Sequence, residues 1–216
     1  MSSTAVVQFA LLKLKPDAHL DEVGSPAGDA LLDVISVVKK ADKNNRAFFG
    51  RQLENPDIGV LVFAYPSLEA SKVFTPSSSP KLSSISTSAT LRTFTFSPAD
   101  SLLPVFTAGT TEVATGYGAE AGYEKNMREF NDVIISDLKD REGSGFHGSV
   151  VGVSTEDISK DGEGGEKGPA VTLVVGWDSK EKHMEGKELG SIPDKIGLIR
   201  VLRREMDMWH VIFKEY

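Results

Sequence analysis

Two ten-residue stretches constrain this chain more than any other feature. "VFAYPSLEAS" (residues 62–71) and "VVGWDSKEKH" (residues 174–183) agree at Val, Ser and Glu, 112 positions apart, and set Tyr65 opposite Trp177. Such a match points to an internal duplication. "AFFGRQLEN" and "GFHGSVVGV" support it by aligning Phe48 with Phe146 and Gly50 with Gly148 at an offset of 98. The difference, 112 minus 98, predicts 14 extra residues in the second copy, and the polar run "STEDISKDGEGGEKGP" supplies them. A hairpin loop absorbs such an insertion at little entropic cost.

Each half reads as strand, long helix, strand, strand, helical region, strand. In the first half the strands are Val6 to Leu14, Ala47 to Glu54, Gly59 to Tyr65 and Leu91 to Phe96. Its helix runs from Asp29 to Lys43, with Leu31, Val34, Ile35 and Val38 forming an apolar stripe at helical spacing. In the second half the strands are Thr110 to Tyr117, Phe146 to Val153, Val171 to Trp177 and Met208 to Lys214. Met127, Phe130, Ile134 and Leu138 stripe the helix from Tyr123 to Arg141, and Gly143 follows as a stop. Helical regions are expected after Ser67 and between Ser179 and Arg204, and the Ser/Thr-rich stretch Thr75 to Thr95 reads as loose helix or loop.

This order is the split βαβ, or ferredoxin-like, unit. The expected fold class is therefore α+β: two tandem ferredoxin-like units (βαββαβ), residues 1–97 and 110–216, joined by a Ser/Pro-rich linker at 98–109. Each unit leaves one sheet face bare, so the two are expected to pack sheet to sheet as an α+β barrel within one chain. The closing strand "MWHVIF" fits, being largely apolar in both alternating sets.

Composition narrows the partners. With 24 Lys and Arg against 31 Asp and Glu, the net charge of -7 argues against nucleic acid and anionic membrane surfaces. No cysteine is present, which removes disulfides and thiolate chemistry. The N-terminus alternates like a strand and lacks the features of a secretory leader, so a cytoplasmic protein is expected. Asp157, Ser159, Asp161 and Gly162 imitate the first half of a calcium loop, but Gly168 stands where the closing Glu belongs. Zinc and iron signatures lack their ligands, and no metal is expected.

The candidate chemistry lies in the second half. His210, between Trp209 and Val211 in a two-sided apolar strand, must find a partner or line a cavity, and an imidazole suits proton transfer near neutral pH. It is the candidate catalytic acid or base, with a carbonyl-satisfied core histidine as the alternative. Trp177 offers an aromatic stacking surface, or a plain core side chain. Tyr117 and Tyr123 flank the loop into the long helix, and with Trp177 and His147 they make up the candidate substrate-binding set. His147 lies on a strand at the far edge of its sheet from His210, so no dyad of the two is expected. Asp178 or Ser179 is expected to cap the following helix, Asp178 with Glu181 having the spacing of a capping box, and His183 reads as solvent-facing.

With "GWDSKEKH" closing the third strand and "WHVIFKEY" closing the chain, the layout resembles the dimeric α+β barrel superfamily. Within it the chain looks most like fungal tandem proteins related to antibiotic biosynthesis monooxygenase and stress-responsive A/B barrel domains. The resemblance implies a ligand cleft between sheet and helices, and its members include cofactor-free monooxygenases, cyclases, isomerases and haem-degrading enzymes. Cyclase relatives carry a first-strand His and a His-Pro-x-His segment. Here the first strands hold Gln8 and Glu112, and "TPSSSPK" and "IPDKIGL" contain no His. Haem-degrading relatives pair a first-strand Asn with a Trp and a His about ten positions later; Trp177 fits, but Lys187 stands where the His would be.

The resemblance therefore implies a cofactor-independent enzyme, monooxygenase-, cyclase- or isomerase-like, acting on a small hydrophobic or aromatic molecule. The alternative is a non-catalytic metabolite-binding or stress-related structural barrel. One chain would supply both units, giving a monomeric pseudo-dimer or a homodimer of it.

Overall fold

A computed structural model describes residues 3–16, 18–20, 24–75 and 80–216. Its strands are β1 (Ala5–Leu14), β2 (Arg46–Arg51), β3 (Ile58–Tyr65), β4 (Ser86–Phe96), β5 (Thr110–Tyr117), β6 (Phe146–Ser154), β7 (Ala170–Trp177), β8 (Glu205–Val211) and β9 (Lys214–Glu215). The helices are α1 (Pro26–Ala41), α2 (Leu68–Ser71), α3 (Leu82–Ile85), α4 (Leu102–Phe106), α5 (Tyr123–Leu138), α6 (Lys180–Gly186) and α7 (Ile192–Lys195). Local chemistry sets the helix starts. Ser25 accepts a hydrogen bond from the Gly28 N–H at 2.9 Å with Pro26 in the first turn, and Ser67 and Ser179 cap α2 and α6 in the same way.

All strand pairs are antiparallel, in the order β8-β5-β7-β6-β4-β1-β3-β2-β9. The two halves repeat one arrangement: β4-β1-β3-β2 in the first and β8-β5-β7-β6 in the second. They meet at two matching seams. At one, Phe94 pairs with Ser154 and the Thr155 N–H donates to the Thr93 carbonyl at 3.0 Å. At the other, Val211 pairs with Gln52 and the Leu53 N–H donates to the His210 carbonyl at 2.8 Å. Only Ile212 and Phe213 separate β8 from β9, which then pairs with β2, so the sheet closes on itself and leaves no long edge exposed.

Alternation along the strands sorts the core into three layers. Val7, Phe9, Phe48, Phe94, Val113, Val174 and Trp209 point inward and form one cluster drawn from both halves. On the outer face of the first half, Leu31, Val34, Ile35 and Val38 of α1 cover Ala10, Leu12 and Phe63. Met127, Phe130, Ile134 and Leu138 of α5 cover Val171, Leu173 and Val175 of the second half. Both stripes are the ones read from the sequence.

The structure differs from the sequence reading in three places. First, β4 begins at Ser86, so the second half of the Ser/Thr-rich stretch is strand, since β1 offers it a partner and threonine suits a pleated surface. Residues 76–79 of that stretch lie outside the described residues. Second, Phe48 is opposite Val62 and Val150 is opposite Val174, so the residue in Gly50's place is Gly152, not Gly148. The Phe-x-Gly match therefore lies four positions away from the pairing register. Third, the connecting segment 98–109 is not slack. It forms a 3-10 turn and α4, and the Phe106 ring enters the inner cluster 5.3 Å from Phe48 and 5.7 Å from Phe213.

Candidate functional site

Three side chains that are distant in sequence meet on the outer face of the second half. Glu112 of β5 lies directly opposite His210 of β8, and both point away from the inner cluster toward the helices. Ser179 starts α6 so that His183, one turn along, is laid over the sheet. Gly186 lets the helix come close, because a Cβ there would lie 2.7 Å from the Trp177 ring. The sequence reading placed His183 in solvent. It is only 7% exposed, because the α6 face carrying His183 and Gly186 is the one that packs on Trp177.

The contacts form a chain. The Trp177 indole N–H donates to Glu112 Oε2 at 3.0 Å, and the Trp177 ring stacks on His183 with centroids 5.4 Å apart. His183 Nδ1 is 2.8 Å from His210 Nε2. His210 Nδ1 is 2.7 Å from Glu54 Oε1, and the His210 backbone N–H donates to Glu54 Oε2 at 2.8 Å. Glu54, which belongs to the first half, comes into reach because the seam pairs Leu53 with His210. Lys180 completes the outer end at 2.7 Å from Glu54.

Environment assigns the protons. Burial alone would raise the Glu54 carboxyl, but hydrogen bonds from Lys180 and from the backbone and ring of His210 hold it down at about 2. An ionised Glu54 only accepts, so His210 carries its proton on Nδ1 and offers Nε2 to His183. Burial, aided by the cations of Lys187 and Lys180, pushes His183 down to about 4, so it is neutral at physiological pH. Burial drives the Glu112 carboxyl up, against the pull of the indole hydrogen bond. Two neighbouring groups with acidities pushed apart are the signature of an acid and a base with separate tasks. Glu112 Oε2 and His183 Nε2 stand 3.6 Å apart, too far for a hydrogen bond, so both remain available to a third group.

That third group has somewhere to bind. A cavity of about 320 Å³ opens beside them, lined by Glu112, Trp177 and His183 and by apolar side chains including Phe130, Ile134, Leu173, Ile192 and Met206. Its size suits a small ligand. Among the residues singled out from the sequence, Trp177 lines the cavity, while His210 sits behind His183, 1% exposed. Tyr117 points into the inner cluster with Arg92 over its ring, and Tyr123 is buried under the turn that carries Ile199. His147 is 43% exposed in its side chain and pairs with Asp178 at 2.7 Å on the surface. The expectation of no His147 and His210 dyad fits this placement. Ser179, not Asp178, caps α6.

Glu112, His183 and Glu54 were not among the singled-out residues. Glu112 had a visible signal, a lone carboxylate in the strand "TTEVATGY", every residue of which is buried. Glu54 had none, because only the closed barrel brings it to His210. In the first half the register places Gln8 and Thr93 where the second has Glu112 and His210, and Phe63 packs on Phe74 at 4.8 Å to fill the space under α1.

Neither a protein-family model nor a curated protein matches the chain. Solved structures do. An anthrone oxidase-like protein superposes with a TM-score of 0.62 at 14% identity, covering 100% of this chain and 95% of that one. A protein of Fusobacterium nucleatum for which monooxygenase activity has been suggested gives 0.60 at 11% identity, covering 100% and 95%. A heme-binding protein from Thermus thermophilus gives 0.51 at 8%, covering 99% and 92%. The likeness extends over the whole chain and shows the fold.

Haem does not fit this site. His210 is buried behind His183 and does not line the cavity, and the cavity is at the small end for ligand pockets. A single ion is a different matter. Glu112, His183 and His210 each offer one donor atom within 4.8 Å of the others, a two-histidine, one-carboxylate set of the kind divalent transition metals accept.

Proposed function

We propose that this chain is a cofactor-independent enzyme that removes a proton from a small, largely hydrophobic aromatic ketone bound in the second-half cavity. The carrying observation is the continuous contact from cavity to surface, Glu112, His183, His210 and Glu54. The neutral Glu112 carboxyl hydrogen-bonds the ketone oxygen while His183 Nε2 takes the adjacent C–H proton. His183 is a weak base on its own, held at about 4. It gains strength by passing its Nδ1 proton to His210 Nε2, where the imidazolium stands against the ionised Glu54. The product is an enolate, an electron-rich carbanion equivalent open to dioxygen in a monooxygenase-like reaction, or to cyclisation or isomerisation. The fold shared with the anthrone oxidase-like protein supports the dioxygen branch.

In this reading the chain is a tandem of ferredoxin-like units, residues 1–97 and 110–216, of the antibiotic biosynthesis monooxygenase type. The repeated strand order and the matching seams support it. One unit holds the site and the other supplies Glu54, so a monomer is sufficient.

The test is exchange of the α-proton for deuterium in aromatic ketones that carry an α C–H, such as 2-tetralone, followed by NMR, with oxygen consumption measured alongside. Exchange lost in His183→Gln supports the mechanism, and oxygen uptake selects the branch. If no ketone exchanges, the proton-abstraction reading fails and the non-catalytic barrel stands. The donor set favours one second reading, a divalent ion in place of the shared proton. Loss of activity on chelation, restored by one metal, would establish it.

A further inference from the structure

The cavity carries a charge pattern that the proton chemistry does not use. Lys187 caps the C-terminal end of α6, and its N–H bonds the His183 carbonyl at 3.0 Å, which places it one helical turn beyond the base. Arg200 and Arg203 follow the turn Ile196–Ile199 and line the same cavity. Arg203 spends its Nε on the Ile199 carbonyl at 2.8 Å. Among the described residues, no ion pair engages Lys187 or Arg200. Among the described residues Glu112 is the one acid on the cavity wall, and its Oε2 accepts the Trp177 indole N–H at 3.0 Å. Three cations therefore line a largely apolar cavity in a chain whose net charge is -7.

We propose that the aromatic ketone taken by this site also carries a carboxylate, its rings held against Trp177 and its carboxylate at the mouth between Lys187 and Arg200. The proposal rests on the cavity being the ligand site, as the proposed function has it. Guanidinium and ammonium donors form charge-assisted hydrogen bonds with a carboxylate, and Arg200 can do so with two parallel N–H groups. Met184 and Met208, both exposed at the cavity, give the mouth an adaptable apolar rim that leaves room for rings of different width. The same cations shape the reaction. Lys187 opposes protonation of His183 and favours an anion beside it, so an enolate formed at Glu112 has a positive charge nearby.

The test uses a matched pair of probes, 2-naphthoate and 2-naphthamide, equal in ring and nearly in shape but differing in charge. Binding is read by quenching of Trp177 fluorescence, with Trp177→Phe as the control for the signal, and by calorimetry. The wild type is expected to bind the acid at least about tenfold more tightly than the amide, roughly the effect of one favourable charge contact. In Lys187→Met/Arg200→Met, checked for wild-type folding by circular dichroism, the preference should fall to within about twofold of parity. Equal binding of both probes by the wild type overturns the carboxylate proposal and leaves the cavity as the ligand site. A preference that survives in the double variant also overturns it, because the anion is then recognised elsewhere. If neither probe binds, the proposal falls together with the cavity as a ligand site.

Discussion

The ring nitrogens of His183 and His210 face each other across 2.8 Å, and only one of them can hold the proton between them. The pair therefore acts as a unit, and its members should not be additive. His183→Gln is expected to lower kcat/KM for α-proton exchange by about 10² to 10⁴, the usual range for a positioned acid or base. His210→Gln removes the proton acceptor behind it and should cost about tenfold or more. The double variant should be little worse than His183→Gln alone. Independent, multiplicative losses would mean that the two rings do not exchange a proton.

The same burial makes stability depend on pH in a definite direction. His183 is held at about 4 in the folded chain against 6.5 when exposed. Between those values the unfolded chain binds a proton that the folded chain refuses, so stability rises with pH across the window and is lost as pH falls from about 6.5 to about 4. The full effect is on the order of 3 kcal/mol. Urea midpoints measured at half-unit pH steps should show this slope in the wild type and a clearly shallower one in His183→Gln. Parallel slopes would place His183 in water.

Glu112 has the opposite sign. Its folded acidity is weaker than in the unfolded chain, so it opposes folding increasingly as pH rises above 4.5. Glu112→Gln keeps an oxygen for the Trp177 indole and removes the ionisable group. It should be more stable than wild type at pH 7, with the gain vanishing near pH 4. Proton exchange into substrate should fall at the same time, because an amide is a poorer acid. A lower midpoint at both pH values would mean that Glu112 is a paired carboxylate.

Contacts local in the chain were legible in the sequence, and contacts made by closure of the sheet were not. Apolar periodicity located α1 and α5 and the strands they cover, because those stripes are local and their faces fully buried. Trp177 and His210 were legible as an aromatic and an imidazole set in apolar strands. The site itself was not. His183 looked like a residue of a solvent-facing turn because only Gly186, three residues on, lets α6 descend onto Trp177. Glu54 sits in a polar stretch after β2, and its role depends on a seam that joins residues 156 positions apart. Such a contact is set by barrel closure, which no local pattern encodes. The offset that aligned Gly50 with Gly148 failed for a related reason, since a two-residue match carries no information about which residues the strands pair.

That seam supplies the last prediction. A Cβ on Gly50 would lie 2.4 Å from the Ile212 carbonyl oxygen and 2.4 Å from Val211 Cγ1. The oxygen belongs to the backbone that joins β8 to β9, so it cannot turn aside as a side chain would. Gly50→Ala must therefore push the closing strand off β2, at a cost of about 1 to 3 kcal/mol by comparison with overpacked cores. Gly164→Ala is the control, because nothing lies within 4 Å of a Cβ there. Moving the strand also draws His210 away from Leu53 and Glu54, three and four residues beyond Gly50 in the chain. Gly50→Ala should accordingly lose both urea resistance and proton exchange, with faster amide hydrogen exchange at Leu53. Lost stability with full activity would mean that the Glu54 and His210 contact is held by something other than the seam.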